Sequence, residues 1–364
     1  MSWMQKLYET YDNCQSLIGY STDQTRRPLL PICHIAAQAH IEMVIDAKSR
    51  FVNARVVTDR SDATTIVPCT EGSAGRAGSK PECHPLCDTL QYVAGDFALY
   101  GGSVTSGFAK DPEEPHRQFL RVLTAWCASE YAHPKAQAVL DYVEKDRVVR
   151  DLAEHGVLFV GADGKLSRRA EKQRQGNVSD IFSVVTSQDK ALVRWQVQIP
   201  GVPESKVWRD KTLWESWAKY YLSTKSVQPL CLVTGKNALI ALQHARYIRM
   251  PGDGAKLISA NDTSGFTFRG RFDSAGQACS VSLEISQKAH NALTWLISRQ
   301  GQVFFVRGDG GRLEPSLTVV AWATSGALIP KPTDDPMAIL GLGGLPGDQS
   351  HVASTAQDLA LRLK

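Results

Sequence analysis

Long apolar runs, nucleotide-binding signatures and catalytic motifs are all missing from this 364-residue sequence. No apolar stretch approaches the roughly 20 residues that a membrane-spanning helix needs, and no charged start leads into an apolar segment as a secretory signal would. Eight cysteines, at 14, 33, 69, 83, 87, 127, 231 and 279, are too scattered for a disulfide scaffold, so a reducing, cytoplasmic setting is expected. A phosphate-cradling G-x-x-x-x-G-K-[ST] loop is absent: Gly78 is followed by Ser79, Lys80 and Pro81, and Gly235–Lys236 by Asn237. The run Gly341–Gly347 has one residue too many for a dinucleotide fingerprint and follows a Pro/Asp-rich segment rather than a strand. With no H-E-x-x-H, no His-Asp pair and no G-x-S-x-G, metalloprotease, His-Asp nuclease and hydrolase readings lack their residues. No enzymatic activity and no cofactor are expected.

Cys69, Cys83, His84 and Cys87 form the one candidate metal cluster. Zinc sites usually pair C-x2-C on each side, whereas here one side is a lone cysteine and Cys83–His84 are adjacent, which strains a tetrahedral site. Ordinary packing of small residues is the better reading.

Glycine and positive charge are concentrated instead. Gly72, Gly75 and Gly78 alternate with Ser73, Ala74, Arg76, Ala77 and Ser79, and Lys80–Pro81 closes the run. Backbone without Cβ atoms approaches another molecule closely, and two cations favour an anionic partner, a polyanion above all. A solvated, flexible hairpin loop has the same composition, and both readings stand. The formal charge is only +4, but Lys165–Gly176 alone carries +4 through Lys165, Arg168, Arg169, Lys172 and Arg174 against Glu171. Lys236–Arg271, with Lys236, Arg269 and Arg271 among its cations, carries another +4. Such clustering fits a polyanion-binding face; the alternative is two solvated surface segments.

Periodicity predicts an α+β fold of small, mostly antiparallel sheets and packed helices in two adjoining lobes. Trp3–Leu17 reads as an amphipathic helix and Gly19–Pro31 as a loop. His40–Ile45 and Phe51–Val57 read as a hairpin, with Ala63–Pro68 a third strand leading into the glycine run. Pro115–Glu130 and Pro134–Glu154 read as helices, and Val193–Ile199 as a half-exposed strand. In the helix Asp210–Ser223, the face Leu213, Trp217, Tyr220 and Tyr221 reads as core rather than as base-stacking aromatics. Pro229–Gly235 reads as a short buried strand, Ser286–Arg299 as a helix, and Gln302–Arg307 and Leu317–Ala323 as strands. The expected lobes are residues 1–155, with the glycine-rich loop at 69–82, and 156–329, with the basic segments. Residues 330–364 read as a Pro/Gly linker and the start of a truncated helical region, because Ser354 and Gln357 form a capping box near the end.

Several blocks together resemble a known family. MSWMQKLYETYDN, GSAGRAGSKPECHPLCDTLQYVAGDF, LWESWAKYYLS, CLVTG, SGFTFRGRF and SQKAHNALTWL occur in family order across most of residues 1–323. They resemble the large subunit of the type I-C CRISPR surveillance complex (Cascade), whose members are longer and carry a C-terminal helical bundle. The resemblance implies an RNA-guided assembly containing crRNA, backbone subunits, a crRNA-processing subunit and a small subunit. Its target is double-stranded DNA, and its large subunit is not itself an enzyme. It further implies that this subunit reads the protospacer-adjacent motif (PAM), helps open the duplex into an R-loop and docks the helicase-nuclease. Related subunits press a glycine loop, a lysine and a wedging polar residue against the minor groove; Gly72–Lys80 is the candidate counterpart, with no position assigned to the wedge. The basic segments then suit the displaced strand or the crRNA end. A stand-alone nucleic-acid-binding module using the same basic face is the alternative, and a small-molecule enzyme a third class.

Overall fold

Turn chemistry and strand-forming runs place the elements. A computed structural model describes residues 2–20, 27–76, 78–167, 181–226, 230–249, 253–254, 256–258, 279–307, 313–327 and 329. Its helices are α1 (Trp3–Asn13), α2 (Arg60–Ala63), α3 (Glu71–Ala74), α4 (Leu90–Val93), α5 (Glu114–Cys127), α6 (Pro134–Val143), α7 (Val148–Glu154), α8 (Ile181–Val184), α9 (Lys211–Ser223) and α10 (Leu283–Gln300). The strands are β1 (His34–Gln38), β2 (Ile41–Asp46), β3 (Phe51–Val56), β4 (Thr64–Pro68), β5 (Val193–Gln198), β6 (Gln302–Arg307) and β7 (Leu313–Val319). The fold is α+β. Two compact units divide it, Ile32–Ser226 and Met1–Pro31 with Val227–Lys364.

In the Ile32–Ser226 unit, β2 and β3 form the expected antiparallel hairpin, Ile41 opposite Val56 and Met43 opposite Ala54. The turn needs no Asn-Gly because Asp46 closes it: one carboxylate oxygen accepts the Lys48 and Arg50 amides, both at 2.9 Å. β5 lies parallel to β2, with Ile41 level with Val193, so the boundary expected at 155/156 falls inside one unit. The strand ending at Pro68 pairs with β1, which the sequence pattern did not mark, rather than with the hairpin.

β5 is more buried than its alternation predicted, because Arg194 turns inward with its charge answered. Its guanidinium is fully buried, pairs with Glu42 at 2.6 Å and Asp62 at 2.8 Å, and lies 3.8 Å over the Trp208 ring. Burial disfavours the Glu42 charge, yet Arg55 and Arg194 together hold its carboxyl below the ordinary range. The expected helix Pro134–Glu154 is two helices, α6 and α7, since Asp146 takes φ +50 and a left-handed residue cannot continue the turn.

Asp210 caps α9, accepting the Thr212 amide at 2.9 Å, and Leu213, Trp214, Trp217, Ala218 and Tyr221 are buried. Trp217 stacks on Tyr221 with centroids 5.7 Å apart and meets Trp126 edge-on at 5.2 Å. Its ring N–H donates to the Cys33 and Cys69 carbonyls at 3.1 and 3.2 Å. Trp214, Trp217 and Tyr221 of α9 are core, whereas Tyr220, which the spacing put on the same face, is only half-buried.

In the other unit α1, capped by Ser2, buries Met4, Leu7, Thr10 and Tyr11. The Lys288 ammonium of α10 reaches Asp12 at 2.8 Å and Glu284 at 2.6 Å. β6 and β7 pair antiparallel, Gln302 opposite Val319. Of the strand expected at Pro229–Gly235, the described residues, 230–235, form a tight turn instead. Gly235, at φ +67, donates its amide to the Cys231 carbonyl at 2.7 Å, while Leu230 and Leu232 are exposed and Cys231 is buried. The expected linker and final helix, 330–364, lie outside the described residues. Among those described, no helix is long and apolar enough to cross a membrane.

Candidate nucleic-acid interface

The glycine-rich run folds as a locked base and an exposed tip. Its base is α3, closed by a capping box in which Thr70 and Ser73 each accept the other's amide at 2.9 Å. Glu71 is buried, its amide donating to the Tyr221 hydroxyl at 2.9 Å and its carboxylate pairing with Lys225 at 3.2 Å. A Cβ at Gly72 would fall 2.1 Å from the Glu82 carboxylate, which the Thr70 hydroxyl holds at 2.8 Å, so a side chain there would displace that exposed carboxylate from Thr70. Ser73 is buried and lies 3.0 Å from Nδ1 of His84, whose pKa burial pulls down to about 4, leaving the ring neutral at pH 7. Gly75 has φ −115, an ordinary value for any residue.

Arg76 faces inward. Its two terminal nitrogens each sit 2.8 Å from one oxygen of Asp88, a fork-to-fork pair, and its guanidinium lies 5.5 Å from the Tyr92 ring centre. Asp88 is fully buried and also accepts the His84 amide at 2.6 Å and the Thr89 amide at 2.7 Å. Burial works against the Arg76 charge, but Asp88 outweighs it and raises the guanidinium pKa. This cation is a staple.

The tip, Gly78–Ser79–Lys80, is exposed. Gly78 takes φ +84, a left-handed turn natural to glycine, and a Cβ there meets nothing within 4 Å. Ala77 lies outside the described residues. Of the seven candidate loop residues, Gly78, Ser79 and Lys80 therefore face solvent, while Gly72, Ser73, Gly75 and Arg76 build the mount.

A second glycine run, which sequence reasoning passed over, backs this tip. Gly101, Gly102 and Gly107 lie in YGGSVTSGF with the same density as Gly72–Gly78, and that density was the available signal. The Gly107 amide donates to the Ser79 carbonyl at 3.0 Å. At the other end of this loop, the Lys165 stem packs on Gly101, with Cδ 2.9 Å from where a Cβ would stand. Lys165 is exposed, as is Lys110 just beyond the loop. Lys236 is exposed in the Cys231 turn of the other unit. Arg168, Arg169, Lys172, Arg174, Arg269 and Arg271 lie outside the described residues.

Cys69, Cys83, His84 and Cys87 are all buried. Burial pushes the Cys83 and Cys87 thiols up to about 12, with the Asp88 charge adding to the effect on Cys83, so both are protonated thiols packed in the core. Among the described residues no three His, Cys, Asp or Glu side chains gather as a metal site.

Comparison with known proteins bears on both units at once. No curated protein matches the chain. The family model of the CRISPR-associated protein (Cas_Csd1) matches residues 7–360, nearly the whole sequence. The chain belongs to the CRISPR-associated protein (Cas_Csd1) family, and with it to the Cascade components that the sequence blocks resemble.

Proposed function

We propose that this chain is the non-catalytic large subunit of an RNA-guided type I-C interference complex, and that the tip Gly78–Lys80 reads the PAM in double-stranded DNA. The observation carrying this reading is an exposed lysine behind two small residues, on a loop whose base is pinned by Arg76–Asp88. A pinned loop loses little conformational freedom on binding, so its few contacts count nearly in full. Small residues let backbone enter a minor groove about 6 Å wide, and one cation senses groove width and A·T against G·C. Guide pairing supplies the remaining specificity, so few protein groups suffice. Lys165, continuing into the basic stretch to Arg174, is assigned to phosphates of the displaced strand or crRNA end. Duplex opening and helicase-nuclease docking belong to the same reading, with bond cleavage left to partner subunits.

The test is binding of the assembled complex to a PAM-bearing duplex and to a single-stranded complementary target. Lys80→Ala weakens the first and spares the second, which binds by guide pairing alone. Equal loss on both, or none on the duplex, removes the tip from PAM reading. Co-purification separates the alternative: a complex subunit carries one uniform guide RNA, a stand-alone module a heterogeneous mixture.

A further inference from the structure

Gln91 and Tyr92, neighbours on the short helix α4, each hold a different glycine run. Tyr92 is buried, and its hydroxyl donates to the Pro81 carbonyl at 2.8 Å, directly behind Lys80. Gln91 grips Thr105 on the second run: its amide nitrogen reaches the Thr105 hydroxyl at 3.1 Å, and its amide oxygen accepts the Thr105 N–H at 2.9 Å. From Thr105 the chain reaches Gly107, whose amide holds the Ser79 carbonyl at 3.0 Å. The contact at Gly107 is too close for any side chain. A Cβ there would stand 2.4 Å from the Ser79 oxygen and 2.6 Å from Cγ of Lys80 itself.

We infer that Gln91, Tyr92 and Gly107 are positioning residues for Lys80, fixing the first glycine run against the second so that both present one nucleic-acid-facing surface. The inference rests on the proposed role of Lys80. Lys80 is exposed at the tip, so its aim comes from the backbone on either side of it. Arg76 fixes the near side, and Gly107 with Tyr92 fixes the far side through Ser79 and Pro81. A tip seated at both ends delivers its cation to one place, and displacement of about 1 Å is enough to lose a charge-assisted contact to a groove edge.

The test is a double-mutant cycle in the assembled complex, read on a PAM duplex and on a single-stranded target. Lys80→Ala is expected to lower duplex affinity by roughly 5- to 150-fold. Gly107→Ala and Gln91→Leu should each cost a comparable factor on the duplex and leave the single strand unaffected. Combined with Lys80→Ala, neither should add a further loss, because both act through that lysine. Gln91→Glu keeps an oxygen for the Thr105 amide and should recover part of the affinity. Additive losses, equal losses on the single strand, or no loss from either variant overturn the positioning role while leaving the tip's own role intact. A silent Lys80→Ala overturns both. If Gly107→Ala does not assemble, Gln91→Leu carries the cycle alone.

Discussion

Arg76 and Lys80 stand four residues apart in one glycine-rich run, carry the same charge, and do opposite things. The Arg76 guanidinium is neutralised by the fully buried Asp88, whereas Lys80 stands in solvent at the tip. Composition reads both as cations awaiting an anion. Burial separates them: the anion that Arg76 attracts is internal, whereas Lys80 is left exposed for the partner proposed above. A basic loop therefore needs sorting, residue by residue, into charge that builds it and charge that it offers.

Removing the building charge should have the largest effect. Arg76→Ala leaves the Asp88 carboxylate buried without its cation, which typically costs about 3–5 kcal/mol of stability. Denaturant unfolding of the purified chain measures it. Arg76→Lys should recover only part, because an ammonium cannot reproduce the two parallel bonds at 2.8 Å. A loss below about 1 kcal/mol would place this pair with ordinary surface ion pairs and erase the contrast with Lys80.

Acid sharpens the same contrast. His84 beside the loop base and His34 on β1 are buried, and burial lowers both pKa values from 6.5 to about 4. The unfolded chain takes up these protons near pH 6.5, the folded chain only near 4. Their contribution is thus complete above 6.5 and is lost as the pH falls toward 4, about 1–2 kcal/mol for each histidine by pH 5. Melting temperature should fall between pH 7 and pH 5, and His84→Gln should blunt the fall. A melting temperature independent of pH in that window would show that the rings are hydrated.

Lys80→Ala is the mirror of Arg76→Ala. Stability should stay within about 0.5 kcal/mol of the parent, since an exposed side chain leaves no buried partner behind. Binding of the assembled complex to a PAM duplex should weaken by about 1–3 kcal/mol. A destabilised but fully binding variant would exchange the roles assigned to the two residues.

Much of this was legible where the determinant is local. The hairpin β2–β3 follows from alternation, and the buried face of α9 from helical spacing. Glycine density marks the run 72–80 but does not separate its exposed tip from its mount. Nonlocal facts were not legible. Nothing near Arg76 announces Asp88 as its partner, because the pairing depends on a tertiary fold that buries that carboxylate and sets the His84 and Thr89 amides on it. The break at Asp146 depends on a left-handed residue that aspartate tolerates without signalling. β1, HIAAQ, is too short and mixed to mark itself, so the sequence reveals a strand ending at Pro68 without revealing its partner. Cys231 reads as a strand residue by its neighbours, yet its sulfur accepts the Ser282 amide at 3.3 Å and holds a turn.

The smallest expected effect tests the tip at its turn. Gly78 has φ +84 and empty space where a Cβ would stand, so Gly78→Ala meets no clash in the free protein. It should cost about 1 kcal/mol from the left-handed backbone alone, and Gly78→Asn less, because asparagine tolerates that conformation. Bound to DNA, the same Cβ no longer faces empty space if the backbone lies in a groove. Both variants should then lose more affinity for the PAM duplex than they lose stability, asparagine most of all through its larger side chain. The order of the two variants thus reverses between unfolding and duplex binding. If instead both measurements rank them alike, the tip's glycine serves the turn and not the groove, and close backbone approach has to be sought at Ser79 or Lys80.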